Sequence, residues 1–405
     1  MMFQMYLREA SMPKLFQKVK RNDIKKMLIM LIFFVVGQII STILFDLNSF
    51  VIARGDSYFY FKGASQIFEL SSFEFMYAGY MLLLHFSQLI SSSGVFMVLI
   101  QSAFTILAAY ALFSLAKEYG GLKAAWLSVG FYLLNPMLSQ WTRYILTESI
   151  FYSLIIIGFR LVTLQTNARF KVIVPVTLLL TTLRPNGIIV ACSLFSILIL
   201  KSKCRILIRS IFLFLTWIPG ILLAVFFLNS GSTNQATLGS SIFRATLEGN
   251  VVFGVTELNL EMPEPKTLDR SNFAFVQYVI QNPVAIFQIA LLRIYWELKQ
   301  IRPWYSSSLN FFLIVTMITF YIFIFFGWFQ VLRKPITKAI IVMTLPSSIF
   351  IGLTWAIWEG RFGWWFLVTW IPLFGIGLSK MSERFLLKSK QAIKLFELFK
   401  FFRVS

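Results

Sequence analysis

MLIMLIFFVVGQIISTILFDL, residues Met27–Leu47, follows a basic leader carrying Arg8, Lys14, Lys18, Lys20, Arg21, Lys25 and Lys26. A run this long and apolar matches the roughly 20 residues a helix needs to cross a bilayer. It exceeds the ~7–15-residue core of a removable signal and no small-x-small cleavage pattern follows, so it reads as an uncleaved signal-anchor. The rest of the chain repeats the pattern. Of 405 residues 58% are hydrophobic and 13% charged, with 45 Phe, 14 Tyr and 11 Trp, more apolar surface than a soluble globule of this size can bury. Further spanning candidates lie at about 94–116, 123–140, 147–166, 171–183, 187–200, 206–228, 309–331, 338–357 and 362–379. The expected fold is all-α: a polytopic membrane protein of about ten transmembrane helices plus outer-face interfacial helices. A basic cytoplasmic N-terminus (1–26) precedes the transmembrane domain (27–379), and a basic amphipathic cytoplasmic tail (380–405) follows it.

The stretch Met76–Ile90 is the ambiguous one, since about 15 residues make a helix of roughly 22 Å against roughly 30 Å of hydrocarbon. Charge decides it. With 76–90 lying on the membrane surface, the segments 1–26, 117–123, 167–171, 201–209, 333–338 and 380–405 fall on one side and hold 25 of the 37 Lys and Arg. As a span, 76–90 would move Lys201, Lys203, Arg205 and Arg209 outside, against the positive-inside tendency. Both termini are therefore expected in the cytoplasm. The pair 171–183 and 187–200 becomes a tight hairpin with Arg184-Pro185-Asn186-Gly187 at its outer tip. The net charge of +20 is accounted for by these topology signals and by contacts to anionic membrane lipid, and no nucleic-acid partner is expected. Cys192 and Cys204 form neither a disulfide framework nor a metal spacing.

Two outer loops, 46–93 and 229–308, are long enough to carry chemistry. In the first, Tyr58–Leu70 is expected to form an interfacial helix with Phe61, Ala64, Ile67 and Phe68 on one face and Lys62, Ser65, Gln66 and Glu69 on the other. The second ends in an amphipathic helix, Pro283–Ile301, bearing Arg293, Glu297 and Lys299. Twelve of the 17 acidic residues fall on this outer side. Asp56 stands out at the start of the first interfacial helix, where it is either an N-cap or a carboxylate facing a bound molecule. Charged residues also mark the points where the chain re-enters the membrane: Arg143 and Glu148, Arg184, Arg302, then Glu359 and Arg361. Each single Arg can be read as snorkelling to headgroups. Their recurrence on one side points to a shared polar cavity able to hold a phosphate. His85 has no histidine partner and reads as interfacial. No phosphate loop, nucleophile elbow, metal-ligand cluster or nucleotide-binding domain is present in the sequence.

The motifs Gly55-Asp56-Ser57-x-x-Tyr60-x-x-x-Ala64, Ala78-Gly79-Tyr80-x-Leu82-Leu83, Asn135-Pro136 with Thr147-Glu148, Leu183-Arg184-Pro185-Asn186-Gly187, Arg302-Pro303-Trp304-Tyr305 and Glu359-x-Arg361-Phe362 occur in this order. Together they resemble the GT-C superfamily of integral membrane glycosyltransferases, in its bacterial branch related to protein mannosyltransferases and lipid A aminoarabinose transferase, over about 50–375. The resemblance implies transfer of a sugar from a polyprenyl-phosphate donor to a hydroxyl of a glycan, lipid or protein acceptor, with inversion, on the periplasmic or extracellular face of the cytoplasmic membrane. It makes Asp56 the catalytic base. Arg302, Arg184, Arg361 and Arg293, with Arg143 and Lys62 behind them, are then the candidates for the donor phosphate, and Glu148, Tyr60, Tyr80, Tyr305 and Glu359 line the pocket. A single acidic residue in the first-loop motif, where the family has a pair, leaves the acceptor and any divalent metal open. No cofactor is assigned. A flippase or transporter would set ionisable groups nearer the bilayer midplane, and a lipid-linked oligosaccharide polymerase would share the substrate class.

Overall fold

A computed structural model describes residues 21–164, 169–202, 205–229, 244–264, 274–354, 356 and 360–386. The leader 1–20, Cys204, Glu359 and the tail beyond 386 lie outside the described residues. Among the described residues the chain is helical, without a β-strand and with isolated bridges such as Ile52–Tyr144.

The helices are α1 (Arg21–Phe45), α2 (Ser57–Ser65), α3 (Ala78–Ile90), α4 (Val95–Leu134), α5 (Glu148–Thr163), α6 (Arg169–Leu183), α7 (Gly187–Lys201), α8 (Ile206–Asn229), α9 (Pro283–Lys299), α10 (Ser307–Val331), α11 (Pro335–Leu353) and α12 (Trp364–Leu386). Among the described residues, five stretches are long and apolar enough to cross a bilayer: Asp23–Phe45, Val95–Leu134, Ser307–Val331, Pro335–Leu353 and Trp364–Leu386. Apolar side chains such as Leu28, Ile32, Val35, Ile39 and Ile43 on α1 are exposed. A surface of that kind belongs against lipid.

α4 is two arms. Gly121 takes φ 82° and ψ −175°, a conformation natural only to glycine, and the Phe113 and Trp126 rings lie 4.8 Å apart. In a straight helix, residues so spaced would be about 20 Å apart, so the chain reverses at Gly121. The reversal falls between the two spans expected at 94–116 and 123–140, although the second arm ends at Leu134 and not at 140. There the Asn135 side chain accepts from the Met137 amide at 3.0 Å and Pro136 opens a separate short turn. α6 and α7 likewise form a hairpin through Arg184–Asn186, so close that a Cβ at Gly187 would run into the Leu180 carbonyl.

The hairpin tips sort the charges to two ends. At one end, Lys201 Nζ donates to the carbonyls of Val162 and Thr163, each at 2.9 Å, Arg160 pairs with Glu118, Lys123 donates to Ser382 Oγ, and Lys26 lies over Phe113. The other end gathers the starts of α5, α7 and α12, the turn after α6, and α2 with α3.

Two helices expected at the membrane interface differ from expectation. α2 stops at Ser65, with Gln66 leaving the helix at φ −118°. It buries Ser57, Tyr60, Gly63 and Ala64, leaving Phe68 96% exposed. Gly63 decides that face, because a Cβ there would collide with Met81 of α3. α9 is turned inside out: Ile286, Ile289, Arg293 and Glu297 are buried while Val284, Phe287, Leu291 and Tyr295 are exposed.

Candidate functional site

The segment between Thr142 and Glu148 organises one end of the bundle. Gln101 Nε2 of α4 donates to the carbonyls of Thr142 and Tyr144, both at 2.9 Å. The bridge to the first loop, Ile52 N to Arg143 O at 2.9 Å and Ile145 N to Ile52 O at 3.0 Å, then carries residues 52–57 across to the start of α5. Asp56 and Glu148 come from opposite sides of that bridge.

They meet at Arg361. Its Nη2 pairs with Asp56 Oδ2 at 3.0 Å and its Nη1 with Glu148 Oε1 at 3.1 Å, and Arg184 Nη1 reaches the same Glu148 oxygen at 2.8 Å. Four charges from four distant segments thus form one chain, Asp56–Arg361–Glu148–Arg184. Glu148 is 1% exposed, Arg184 9%, Arg361 13% and Asp56 56%, so the network opens to the surface at Asp56. Arg184 also lies over the rings of Phe151 and Phe362 at 5.7 and 5.2 Å. Buried ionised groups persist when paired in this way. Among the described residues Glu148 Oε2 and Asn186 Oδ1 are buried without a hydrogen-bond partner, leaving acceptor capacity beside the two guanidinium groups.

The capping alternative for Asp56 is answered by its geometry. The residue stands at the N-cap position of α2, yet its side chain makes no cap hydrogen bond and turns to Arg361. Ser57 Oγ instead accepts from the Arg54 amide at 3.2 Å. Tyr60 and Tyr80, 4.9 Å apart, and Tyr77, 5.5 Å from Tyr60, pack beneath α2. Burial pushes the Tyr60 and Tyr77 hydroxyls above the usual tyrosine range. Tyr80 donates to Gln101 Oε1 at 3.3 Å, and His85 Nδ1 lies 2.8 Å from the Ala64 carbonyl, pinning α3 to α2.

The other arginines are spent elsewhere. Arg143 donates to Thr42 Oγ1 at 2.6 Å and to the carbonyls of Leu47 and Ser49, closing the end of α1. Arg293, 1% exposed, donates to the Asn250 carbonyl at 3.0 and 2.9 Å and to the Gly352 carbonyl at 3.1 Å. Arg302, fully buried, donates to the Trp296 carbonyl at 2.5 Å and lies over the Trp296 ring. Asn310 closes the Arg302–Tyr305 turn, accepting from the Arg302 amide at 3.1 Å and donating to its carbonyl at 2.7 Å. Tyr305 is half-buried in that turn and Lys62 is exposed on α2. Of the expected site residues, then, Asp56, Glu148, Arg184 and Arg361 come together with Tyr60 and Tyr80 close by, while Arg143, Arg293 and Arg302 hold backbone carbonyls.

Sequence reasoning missed Gln101, Tyr152, Gln300 and Asn310, uncharged side chains that fasten loops by hydrogen bonds to their backbone. Glu297 was visible on α9, but nothing in its spacing told that it faces inward. Among the described residues no group of three or more His, Cys, Asp and Glu stands together; the site has two carboxylates, bridged by Arg361. No protein-family model matches the chain, and no curated protein matches it.

Proposed function

We propose that this protein is an integral membrane glycosyltransferase of the GT-C kind, moving a sugar from a polyprenyl-phosphate donor to an acceptor hydroxyl at the outer face of the membrane. The observation that carries the reading is the convergence of Asp56, Glu148, Arg184 and Arg361 on one end of the bundle, with the carboxylate of Asp56 as the exposed member. In the proposed reaction Asp56 takes the proton of the acceptor hydroxyl. The acceptor oxygen bonds to the sugar C1 from the face opposite the phosphate, and the C1–O bond breaks with its electron pair passing to the phosphate. Arg184 and Arg361 are suited to that departing charge, because a guanidinium fork matches phosphate oxygens and works best in a site screened from water. Their present partners are carboxylates, anions that a phosphate can replace or join.

The topology that goes with this reading has ten spans and both termini in the cytoplasm. It is supported by the gathering of Lys26, Lys123, Lys201 and Arg160 at the end away from Asp56. α3 fits the interfacial role, with Tyr80, Met81, Leu84 and Ser87 buried and Leu82, Phe86, Leu89 and Ile90 exposed.

The test is transfer by the purified protein from a panel of radiolabelled polyprenyl-phosphate sugars to glycan, lipid and peptide acceptors. The expected result is labelled product with release of polyprenyl phosphate from at least one donor. Vesicle assays that instead show passage of intact lipid-linked glycan, or its elongation in blocks, would replace the reading with a flippase or a polymerase.

A further inference from the structure

Arg361 reaches Asp56 and Glu148 from a short loop, and that loop is held from behind. Four of its polar groups in sequence are taken by side chains of α9 and α5 and by Gln300 just past the end of α9. The Gly360 carbonyl accepts from Gln300 Nε2 at 2.8 Å, and the Arg361 carbonyl accepts from the Tyr152 hydroxyl at 2.6 Å. The Gly363 amide donates to Glu297 Oε2 at 2.6 Å, and the Trp364 indole donates to Gln300 Oε1 at 3.1 Å. Glu297 and Gln300 are both fully buried. The fit is close enough that a Cβ on Gly360 would stand 2.7 Å from Gln300 Oε1, and one on Gly363 would stand 2.7 Å from the Glu297 carbonyl.

Two features show a built arrangement. Gln300 sits at φ 59°, in the left-handed region that a side chain rarely adopts, and its neighbour across the contact, Gly360, is at φ 66°. Backbone held this way persists where its surroundings over-determine it. The second feature is electrostatic: Arg302 stands in the field of Glu297, so the buried carboxylate that receives Gly363 has a compensating cation.

We propose that Glu297 and Gln300 are positioning residues, fixing residues 360–364 so that the Arg361 guanidinium is aimed at Asp56 and Glu148. The proposal rests on the glycosyltransferase reading only for its consequence in catalysis. A group placed about 1 Å off its productive position can cost on the order of a hundredfold in rate, which is the scale of loss that four hydrogen bonds on one short loop guard against.

The test combines two readouts on the full-length protein in lipid nanodiscs. Hydrogen exchange by mass spectrometry follows peptides covering 360–366, with peptides of α4 as internal reference. Gln300→Met keeps the volume and removes the amide; Tyr152→Phe, milder, removes one hydroxyl; Glu297→Gln keeps an acceptor for the Gly363 amide. Exchange over 360–366 is expected to rise about tenfold in Gln300→Met, less in Tyr152→Phe and little in Glu297→Gln, with the α4 peptides unchanged. Transfer should fall about tenfold in Gln300→Met, and this loss should not multiply with that of Arg361→Lys, because residues acting through one another are non-additive. Unchanged exchange in both Gln300→Met and Tyr152→Phe, or losses that multiply, would overturn the proposal. Raised exchange in a protein whose wild type transfers no sugar would support the clamp while removing the enzymatic reading.

Discussion

Among the described residues, two pairs of arginines, three of the four buried and Arg361 nearly so, are held by different chemistry. Arg184 and Arg361 are paired with the carboxylates of Glu148 and Asp56, whereas Arg293 donates to the backbone carbonyls of Asn250 and Gly352, and Arg302 donates to the Trp296 carbonyl while standing in the field of Glu297. Carbonyl oxygens that have left water need a donor and keep the one they have, so an arginine held by them is a fastener. A guanidinium held by carboxylates sits in an anion's site and can exchange one anion for another. Residue type and burial do not separate the two pairs. The identity of the acceptor does, and on that basis Arg361 and Arg184, of the four arginines expected at the donor phosphate, are the two proposed for it.

The contrast can be broken most forcefully at Glu148, the carboxylate shared by both exchangeable arginines. Glu148→Ala leaves Arg184 buried without its partner, and loss of one member of a buried pair costs about 3–5 kcal/mol, read as a large drop in the thermal midpoint of the purified protein. Arg293→Met comes next, at ~1–3 kcal/mol for each carbonyl left without a donor, again in stability. Arg361→Lys should do the reverse, lowering transfer about tenfold, or roughly 1.4 kcal/mol, with the thermal midpoint near that of the wild type. Should Arg361→Lys unfold the protein while Arg293→Met spares it, the two pairs have been assigned the wrong way round. Arg160→Lys is the smallest effect expected, within about 0.5 kcal/mol in stability and with unchanged transfer, since its ion pair to a partly exposed Glu118 lies at the far end of the bundle.

What is legible in the sequence follows from the membrane. Glu148, Arg184 and Arg361 can be placed on one side from the order of residues, because each stands where an apolar run ends, but so can Arg143 and Arg302, which the structure puts elsewhere; Asp56 joins them in the sequence only through the family resemblance. The reversal at Gly121 and the α6–α7 hairpin are legible for the same reason. The inner face of α9 is not. A helix lying at a boundary has two apolar environments to choose from, and the spacing of Ile286, Ile289, Arg293 and Glu297 does not tell protein from lipid. The extent of α2 is not legible either: it stops at Ser65, with Tyr60 and Ala64 buried and Phe68 left exposed. Gln300 carries no signal at all, being one uncharged residue just past a helix end whose worth depends on a loop sixty residues away.

Asp56→Asn is the most direct measurement, because asparagine keeps the shape and the capping capacity of aspartate but takes up no proton at neutral pH. Removal of a general base costs about a hundredfold to ten-thousandfold in rate. With insertion and thermal midpoint held close to wild type, transfer from the polyprenyl-phosphate sugar should fall by that factor, and turnover near the wild-type level would contradict the role given to Asp56.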